Sequence, residues 1–80
     1  MYTVYILRCT DGTLYTGVAK DVRARFAEHR AGRGAAYTRS HRPVRIVYTE
    51  ARRTKGAALR REAAIKRLAR AQKLQLIRYA

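Results

Sequence analysis

Residues 2–18, YTVYILRCTDGTLYTGV, decide the fold. Two runs rich in β-branched and aromatic side chains, residues 2–9 and 14–18, flank Asp11-Gly12, a dipeptide that supplies a tight turn. The segment therefore reads as a β-hairpin. Successive side chains of a strand alternate, so Val4 and Ile6 face one side and Tyr5 and Leu7 the other. Working outward, Asp21 offers an N-cap oxygen for a helix from Val22 to about Arg30 that ends near Gly32. Gly32, Gly34, Ser40 and Pro43 mark a loop. VRIVYTEA, residues 44–51, is the third strand. Thr54 opens a helix through about Leu68, and a last helix near 71–79 carries Leu74 and Ile77. The order strand, strand, helix, strand, helix, helix predicts an α+β fold, a small three-stranded antiparallel sheet flanked by helices.

Eighty residues make one domain, 1–80, because a core split in two would leave each half too small to offset its chain entropy. Hydrophobic residues are 48% of the chain, but alanine supplies much of that share, so the core is modest and rests on Val, Ile, Leu, Phe26 and the tyrosines. No apolar run approaches the roughly 20 residues of a membrane span, and the N-terminus lacks a signal-peptide layout. The expectation is a soluble cytoplasmic protein without a membrane partner. Cys9 is the only cysteine, which excludes an internal disulfide and a cysteine-based zinc cluster and suits a small buried apolar residue. Nineteen Lys plus Arg against five Asp plus Glu give a net charge of +14, a field that attracts phosphate backbones. Nucleic acid is the expected partner. Nine of these cations precede residue 50 and ten follow it, interleaved with apolar positions, so the charge decorates folded elements.

Four side chains are placed to do chemistry on a phosphodiester. Tyr5 and Tyr15 sit one on each strand of the hairpin. At about 100° per residue, Val22, Arg25, Phe26 and His29 share one arc of the first helix, which puts Arg25 and His29 beside the stripe that packs inward. A snorkelling arginine that covers the core edge is the other reading of Arg25. His41, between Arg39 and Arg42, reads as solvated or phosphate-contacting rather than metal-binding. Glu62 is the unusual acid, since it shares an arc with Ala58, Leu59, Ile65 and Ala69, and a carboxylate there needs a partner. Lys66, four residues on, offers an ion pair; a metal offers the alternative. Asp11 serves the turn and Asp21 the cap, while Glu28 and Glu50 sit in solvent among arginines.

One unexplained carboxylate is too few for a two-metal nuclease and suits one magnesium completed by substrate phosphate and water. The attacking water then needs tyrosine or histidine as its base. A phenol with pKa near 10 is only about 0.1% ionised at neutral pH and needs cationic neighbours, which Arg25, the metal and Lys20 could supply.

The residues resemble a GIY-YIG nuclease domain across essentially the whole chain, closest to the small stand-alone branch of that family. Thr3-Val4-Tyr5 and Tyr15-Thr16-Gly17 stand where its two signature triplets fall, with Arg25, His29 and Glu62 at matching spacing. Gly34-Ala35 with Tyr37-Thr38, Pro43 ahead of VRIVYTE, and ALRRE followed by Ile65-Lys66 agree as well. Thr3, Thr16 and Ala19 depart from the family pattern, and the chain has no asparagine where a late one is usual, leaving Gln72 or Gln75 as substitutes. The resemblance implies phosphodiester hydrolysis with one divalent cation, Mg2+ or Mn2+. It makes Tyr5 and Tyr15 the active-site phenols, one of them the general base and the other orienting water or metal-bound ligands. Arg25 holds the scissile phosphate, His29 assists proton transfer or steadies the phenol, and Glu62 binds the metal. The implied substrate contacts are Gly17, which lets backbone approach the phosphate, and Lys20, Tyr37, Thr38, Arg39 and Lys66.

The expected function is a metal-dependent endonuclease acting on DNA rather than RNA, nicking or structure-sensitive, in repair or DNA processing. A non-catalytic DNA- or RNA-binding module that keeps the nuclease fold is the alternative, in which Tyr37, Tyr48 or Tyr79 would stack on bases, although buried or half-buried core packing is the favoured reading of these rings. The expected state is a monomer. No second DNA-binding segment accompanies the site, so a protein partner would supply targeting and affinity would rest on salt-dependent backbone electrostatics.

Overall fold

Asp11 and Gly12 close the hairpin as the sequence predicts. Gly12 lies at φ +83°, in the left-handed region that glycine enters without a side-chain penalty. The Asp11 carboxylate accepts hydrogen bonds from the Thr13 amide at 3.1 Å and the Thr13 hydroxyl at 2.6 Å. In the computed structural model, which describes residues 1–79, this turn joins β1 (Tyr2–Cys9) to β2 (Leu14–Ala19). β3 (Pro43–Arg52) pairs antiparallel with the other edge of β1, giving the sheet order β2-β1-β3. The fold is α+β, with β1 as its central strand. Neighbours on both edges and helices on both faces leave Val4, Ile6 and Leu7 at 0% exposure and Tyr5 at 1%.

The alternation along β1 divides the molecule into two sides. Val4 and Ile6 pack against Ala58 and Ile65 of α3 (Lys55–Lys66), with Leu76 and Ile77 of α4 (Arg70–Arg78) beside them. Tyr5 faces the other way, toward α1 (Val22–Arg30) and α2 (Ala36–Ser40). Asp21 caps α1 by accepting from the Ala24 amide at 3.1 Å, and Thr54 caps α3 through Ala57 at 3.1 Å. Cys9 is buried, which pushes its thiol pKa up. Among the described residues, no helix is long and apolar enough to cross a membrane.

Several elements differ from the sequence expectation. The loop between α1 and β3 contains α2, five residues whose flanking glycines and proline mask it, with Thr38 bonding Ala35 carbonyl oxygen through both its amide and its hydroxyl. α3 stops at Lys66 rather than Leu68, where the Leu68 amide bonds the Ile65 carbonyl three residues back and tightens the chain into a turn. The buried arc of α3 is narrower than its pattern: Ala58 and Ile65 are fully buried, whereas Leu59 is 44% exposed and Ala69 is exposed.

Glu50, expected in solvent, is instead held between β3 and α3. Its carboxylate accepts from the Tyr48 hydroxyl and from Arg61 Nε, and lies against Arg52. Burial alone would raise its pKa, but those hydrogen bonds and the two guanidinium charges outweigh it and hold the carboxyl below the usual value. This group fastens the third strand to the core helix.

Thr16 pairs with Ile6 across the hairpin and faces the apolar side. Its hydroxyl is buried and has no hydrogen-bond partner among the described residues. An orphaned hydroxyl costs about 1–3 kcal/mol, so Thr16→Val is expected to raise the unfolding free energy by about 1 kcal/mol in urea denaturation. Unchanged or lower stability would mean that the hydroxyl finds a partner.

Candidate active site

Tyr5 stands opposite Gly17 in the hairpin register, and its ring lies across the space where a side chain would be. A Cβ at position 17 would come within 2.5 Å of the Tyr5 hydroxyl oxygen and 2.6 Å of the ring carbon that bears it. The glycine is therefore needed by the phenol itself, where the family resemblance suggested close approach to a phosphate. Laid over β2 in this way, the Tyr5 hydroxyl reaches Nε2 of His29 at 2.9 Å.

His29 is more deeply placed than the helix pattern implied. It is 1% exposed, at the C-terminal end of α1, with its ring inserted against the sheet. Nδ1 lies 2.6 Å from Thr38 Oγ1, and that hydroxyl donates its only proton to the Ala35 carbonyl at 2.9 Å. Thr38 can then only accept from His29, so the proton of the neutral imidazole sits on Nδ1. Nε2 is left with a lone pair, which accepts the Tyr5 O–H. Gly34 completes the chamber, because a Cβ there would collide with Nδ1 and the imidazole carbons. Thr38 itself is 2% exposed, so its hydroxyl is spent on His29 and Ala35 rather than turned toward a ligand.

The two buried groups are both neutral at pH 7. Burial, and then repulsion from Tyr15, push the Tyr5 pKa up to about 12, against a smaller downward pull from Arg25. The cationic lowering that the sequence suggested is present but loses to desolvation. His29 is pushed below its usual value by burial first and then by Arg25. Arg25 is half-buried and pairs with Glu28 at 3.5 Å, close enough to both groups to act on them. Lys20 takes no part in this field. Its ammonium lies 5.3 Å from the Tyr2 ring centroid, and Tyr2 points to the opposite side of β1 from Tyr5.

Tyr15, half-exposed, has its ring centroid 6.4 Å from that of Tyr5 and 5.1 Å from that of His29. Tyr37 stacks on it at 5.8 Å, and His41 stacks on Tyr37 at 4.1 Å with an interplanar angle of 8°. An aromatic series thus runs from the buried phenol to the surface, and His41 ends it 3.8 Å from Asp11. Glu62 lies at the edge of the buried stripe of α3, its side chain 19% exposed, and pairs with Lys66 at 3.3 Å. Its charge still reaches Tyr5, as the weakest of the influences that raise that pKa. Arg39 is exposed on α2. Tyr5, Tyr15, Arg25 and His29 therefore converge, Glu62 is within electrostatic reach, and Lys66 accompanies Glu62. Gly34 and Thr38 were visible in the sequence, but only the fold shows that both act on the imidazole.

Among the described residues, no three His, Cys, Asp or Glu side chains converge to hold a metal by themselves. The donor set near Tyr5 is one carboxylate, Glu62. That set suits a hard divalent cation completed by phosphate oxygens and water, and not one caged by protein ligands alone.

Residues 1–75 match the model of the GIY-YIG catalytic domain. A UPF0213 protein of Halobacterium salinarum is 53% identical over 73 residues, covering 91% of this chain and 95% of the relative. A UPF0213 protein of Staphylococcus aureus is 55% identical over 75 residues, covering 94% and 92%. The solution NMR structure of a UPF0213 protein from Bacillus halodurans superimposes with a TM-score of 0.63 at 45% identity, covering 99% of this chain and 85% of that one.

The close contact at Gly17 gives one test. Gly17→Ala is expected to cost about 1–3 kcal/mol, because the Tyr5 ring is enclosed and cannot yield without disturbing the central strand. It should also break the Tyr5–His29 bond, seen as a displaced His29 imidazole resonance. A full-strength bond in a stable variant would contradict the geometry. The buried imidazole gives another. Folded His29 titrates below the 6.5 of a free imidazole, so between those two values the unfolded chain binds the extra proton. Stability is thus expected to fall as pH drops through that window, and His29→Gln should remove that part of the slope in urea midpoints taken from about pH 7.5 to about pH 5.

Proposed function

The chain belongs to the GIY-YIG catalytic-domain family, and on that premise we propose that it is a metal-dependent endonuclease hydrolysing phosphodiester bonds in DNA, as a nicking or structure-sensitive activity in repair or DNA processing. The observation that carries this reading is the buried series Tyr5–His29–Thr38. An imidazole and a phenol enclosed in a small core cost desolvation that apolar side chains would avoid, and their hydrogen bonds leave one direction for a proton to travel.

Arg25 holds the scissile phosphate in its planar guanidinium fork. Tyr15, the more exposed phenol, orients the attacking water toward the end of the Tyr5 hydroxyl. As the water oxygen attacks phosphorus, its proton arrives at the Tyr5 oxygen while the proton already there passes to Nε2 of His29. The phenol ends neutral and the imidazole carries the charge, which Thr38 steadies from Nδ1. The P–O bond to the leaving oxygen breaks, that oxygen keeps the bonding electrons and takes a proton from solvent, and His29, enclosed at both nitrogens, afterwards returns its proton through the Tyr5 oxygen. Nucleases of this family generally use a divalent metal. Glu62 would hold it, as Mg2+ or Mn2+, with phosphate oxygens and water, and when bound it supplies Lewis-acid stabilisation of the phosphate and the leaving oxygen.

The Glu62–Lys66 ion pair favours a second reading, a DNA- or RNA-binding module that keeps the fold, since it gives that carboxylate a partner of its own. One panel separates the two. Wild type, Tyr5→Phe, His29→Ala and Glu62→Ala are incubated with labelled nicked, branched and single-stranded DNA and RNA, with magnesium, manganese or chelator. The nuclease reading expects each variant to lose about 10²–10⁴-fold in cleavage while still binding. Thr38→Val is expected to lose about 10²-fold, with Thr38→Ser largely retaining activity. Wild-type activity should be level above the ordinary imidazole range and fall on the acid side, where His29 becomes protonated. Binding unaffected by chelator, with no cleavage of any substrate, would support the module.

A further inference from the structure

We infer that Arg30, Arg39 and Arg42 form a second phosphate site, which takes a backbone phosphate of the same nucleic-acid strand on the side of His29 away from Tyr5. This rests on the nucleic-acid reading above, and it identifies where a phosphate other than the scissile one is gripped.

A cleft of about 270 Å³ opens between the end of α1 and α2, with these three arginines around it and His29 and Thr38 in its wall. Small-molecule sites occupy about 300–1,000 Å³, so this one suits a phosphate group with its waters better than a whole nucleotide. No acidic residue lines it. All five acids of the chain are engaged elsewhere: Asp11 with Thr13, Asp21 at the cap of α1, Glu28 with Arg25, Glu50 with Arg52 and Arg61, and Glu62 with Lys66. Among the described residues none of the three cleft arginines is in an ion pair. Arg30 lies over the Phe26 ring at 5.9 Å, a cation–π contact that brings no counter-charge.

The three backbones are held by different elements, so the cradle exists before any ligand arrives. Arg30 ends α1, and Arg39 belongs to α2, which Thr38 anchors to Ala35. The Arg42 carbonyl accepts from the Thr10 amide of the hairpin at 2.9 Å. The C-terminal end of α1 also borders the cleft, and its dipole disfavours an anion. That end carries about half a negative charge, against three full positive charges, so the balance stays strongly cationic. Guanidinium forks match phosphate oxygens in a bidentate manner, which makes phosphate the fitting counter-charge. Because the cleft shares His29 and Thr38 with the Tyr5 site, a strand crossing this face would set one phosphate at Arg25 and another in the cleft, fixing its register on the protein.

The test measures binding in chelator, where cleavage does not intervene. Two variants with the same charge loss are compared: Arg30→Gln/Arg39→Gln/Arg42→Gln, and the surface control Arg53→Gln/Arg60→Gln/Arg67→Gln. Affinity for a fluorescent single strand and a duplex is read across a salt series, with inorganic phosphate alone titrated in parallel. The cleft variant is expected to lose about 10-fold or more in affinity and about one unit of salt slope, as for one lost phosphate contact, with the control within about 3-fold of wild type. A methylphosphonate walk on wild type, which needs no variant to fold, should reveal a single neutralised phosphate, displaced from the scissile one, that costs affinity. Equal losses in the two variants, or a walk with no such position, would overturn the site. So would binding of inorganic phosphate that the cleft variant abolishes while its affinity for the strand and the duplex stays at the wild-type level. A protein that shows the cleft signature yet never cuts would instead sink the nuclease reading and leave the cleft standing.

Discussion

The His29 imidazole, clasped between the Tyr5 hydroxyl and Thr38, is the contact on which the site side of the molecule depends. It ties together β1, α1 and α2 at a position 1% exposed to solvent. A buried polar ring left without partners would cost several kcal/mol, so each group around it is constrained by it. Gly34 has no Cβ because the ring occupies that space, and Gly17 has none because the phenol that bonds to the ring does. α2 is a single short turn, and the Ala35 carbonyl that caps its start orients Thr38. The region is over-determined around one tautomer of the imidazole.

The other side of β1 supplies what the site does not. Val4, Ile6, Ala58 and Ile65 form a small apolar cluster, and the Glu50 group with Tyr48, Arg61 and Arg52 secures the outer strand to α3. The period-2 alternation of one strand thus separates the apolar core from the candidate site. Thr16 is the exception, a hydroxyl on the apolar side without a hydrogen-bond partner among the described residues, and it marks where the core is least well matched to its neighbours.

Local signals made most of the fold legible. The Asp11-Gly12 turn, the Asp21 and Thr54 caps and the β-branched run of β3 each act over a few residues, and each element appears where its signal lies. α2 was not legible because five residues carry no periodicity, and what holds it is a contact to His29 nine positions away. The acids show the same limit. A helical arc ranks Glu62 as more buried than Glu50, but burial depends on what packs opposite, and β3 with α3 enclose Glu50 more fully: 13% side-chain exposure against 19%. Tyr5, Tyr15, Arg25 and His29 were identifiable as a set from their faces. The direction of the phenol's pKa was not, because a sequence displays the charges that would lower it and hides the desolvation that raises it.

That direction decides what kind of base the proposed site can contain. With burial pushing the Tyr5 phenol up to about 12 and holding the His29 imidazole below its usual value, moving a proton outright from phenol to imidazole runs strongly uphill. A standing phenolate–imidazolium pair is therefore not the resting state of this core. The cost is avoided if the Tyr5 oxygen receives one proton as it gives up another, since the phenol then never ionises and only the imidazole changes charge. The cationic surroundings oppose that new positive charge, with Arg25 the main contributor among them. A strand whose phosphates lie near Arg25 and in the arginine cleft would offset this opposition, since both positions lie beside His29. In the proposed reaction the polyanion would then be more than cargo attracted by a charge of +14: its phosphates would make the protonated imidazole attainable and would couple the proposed proton transfer to the strand being in register.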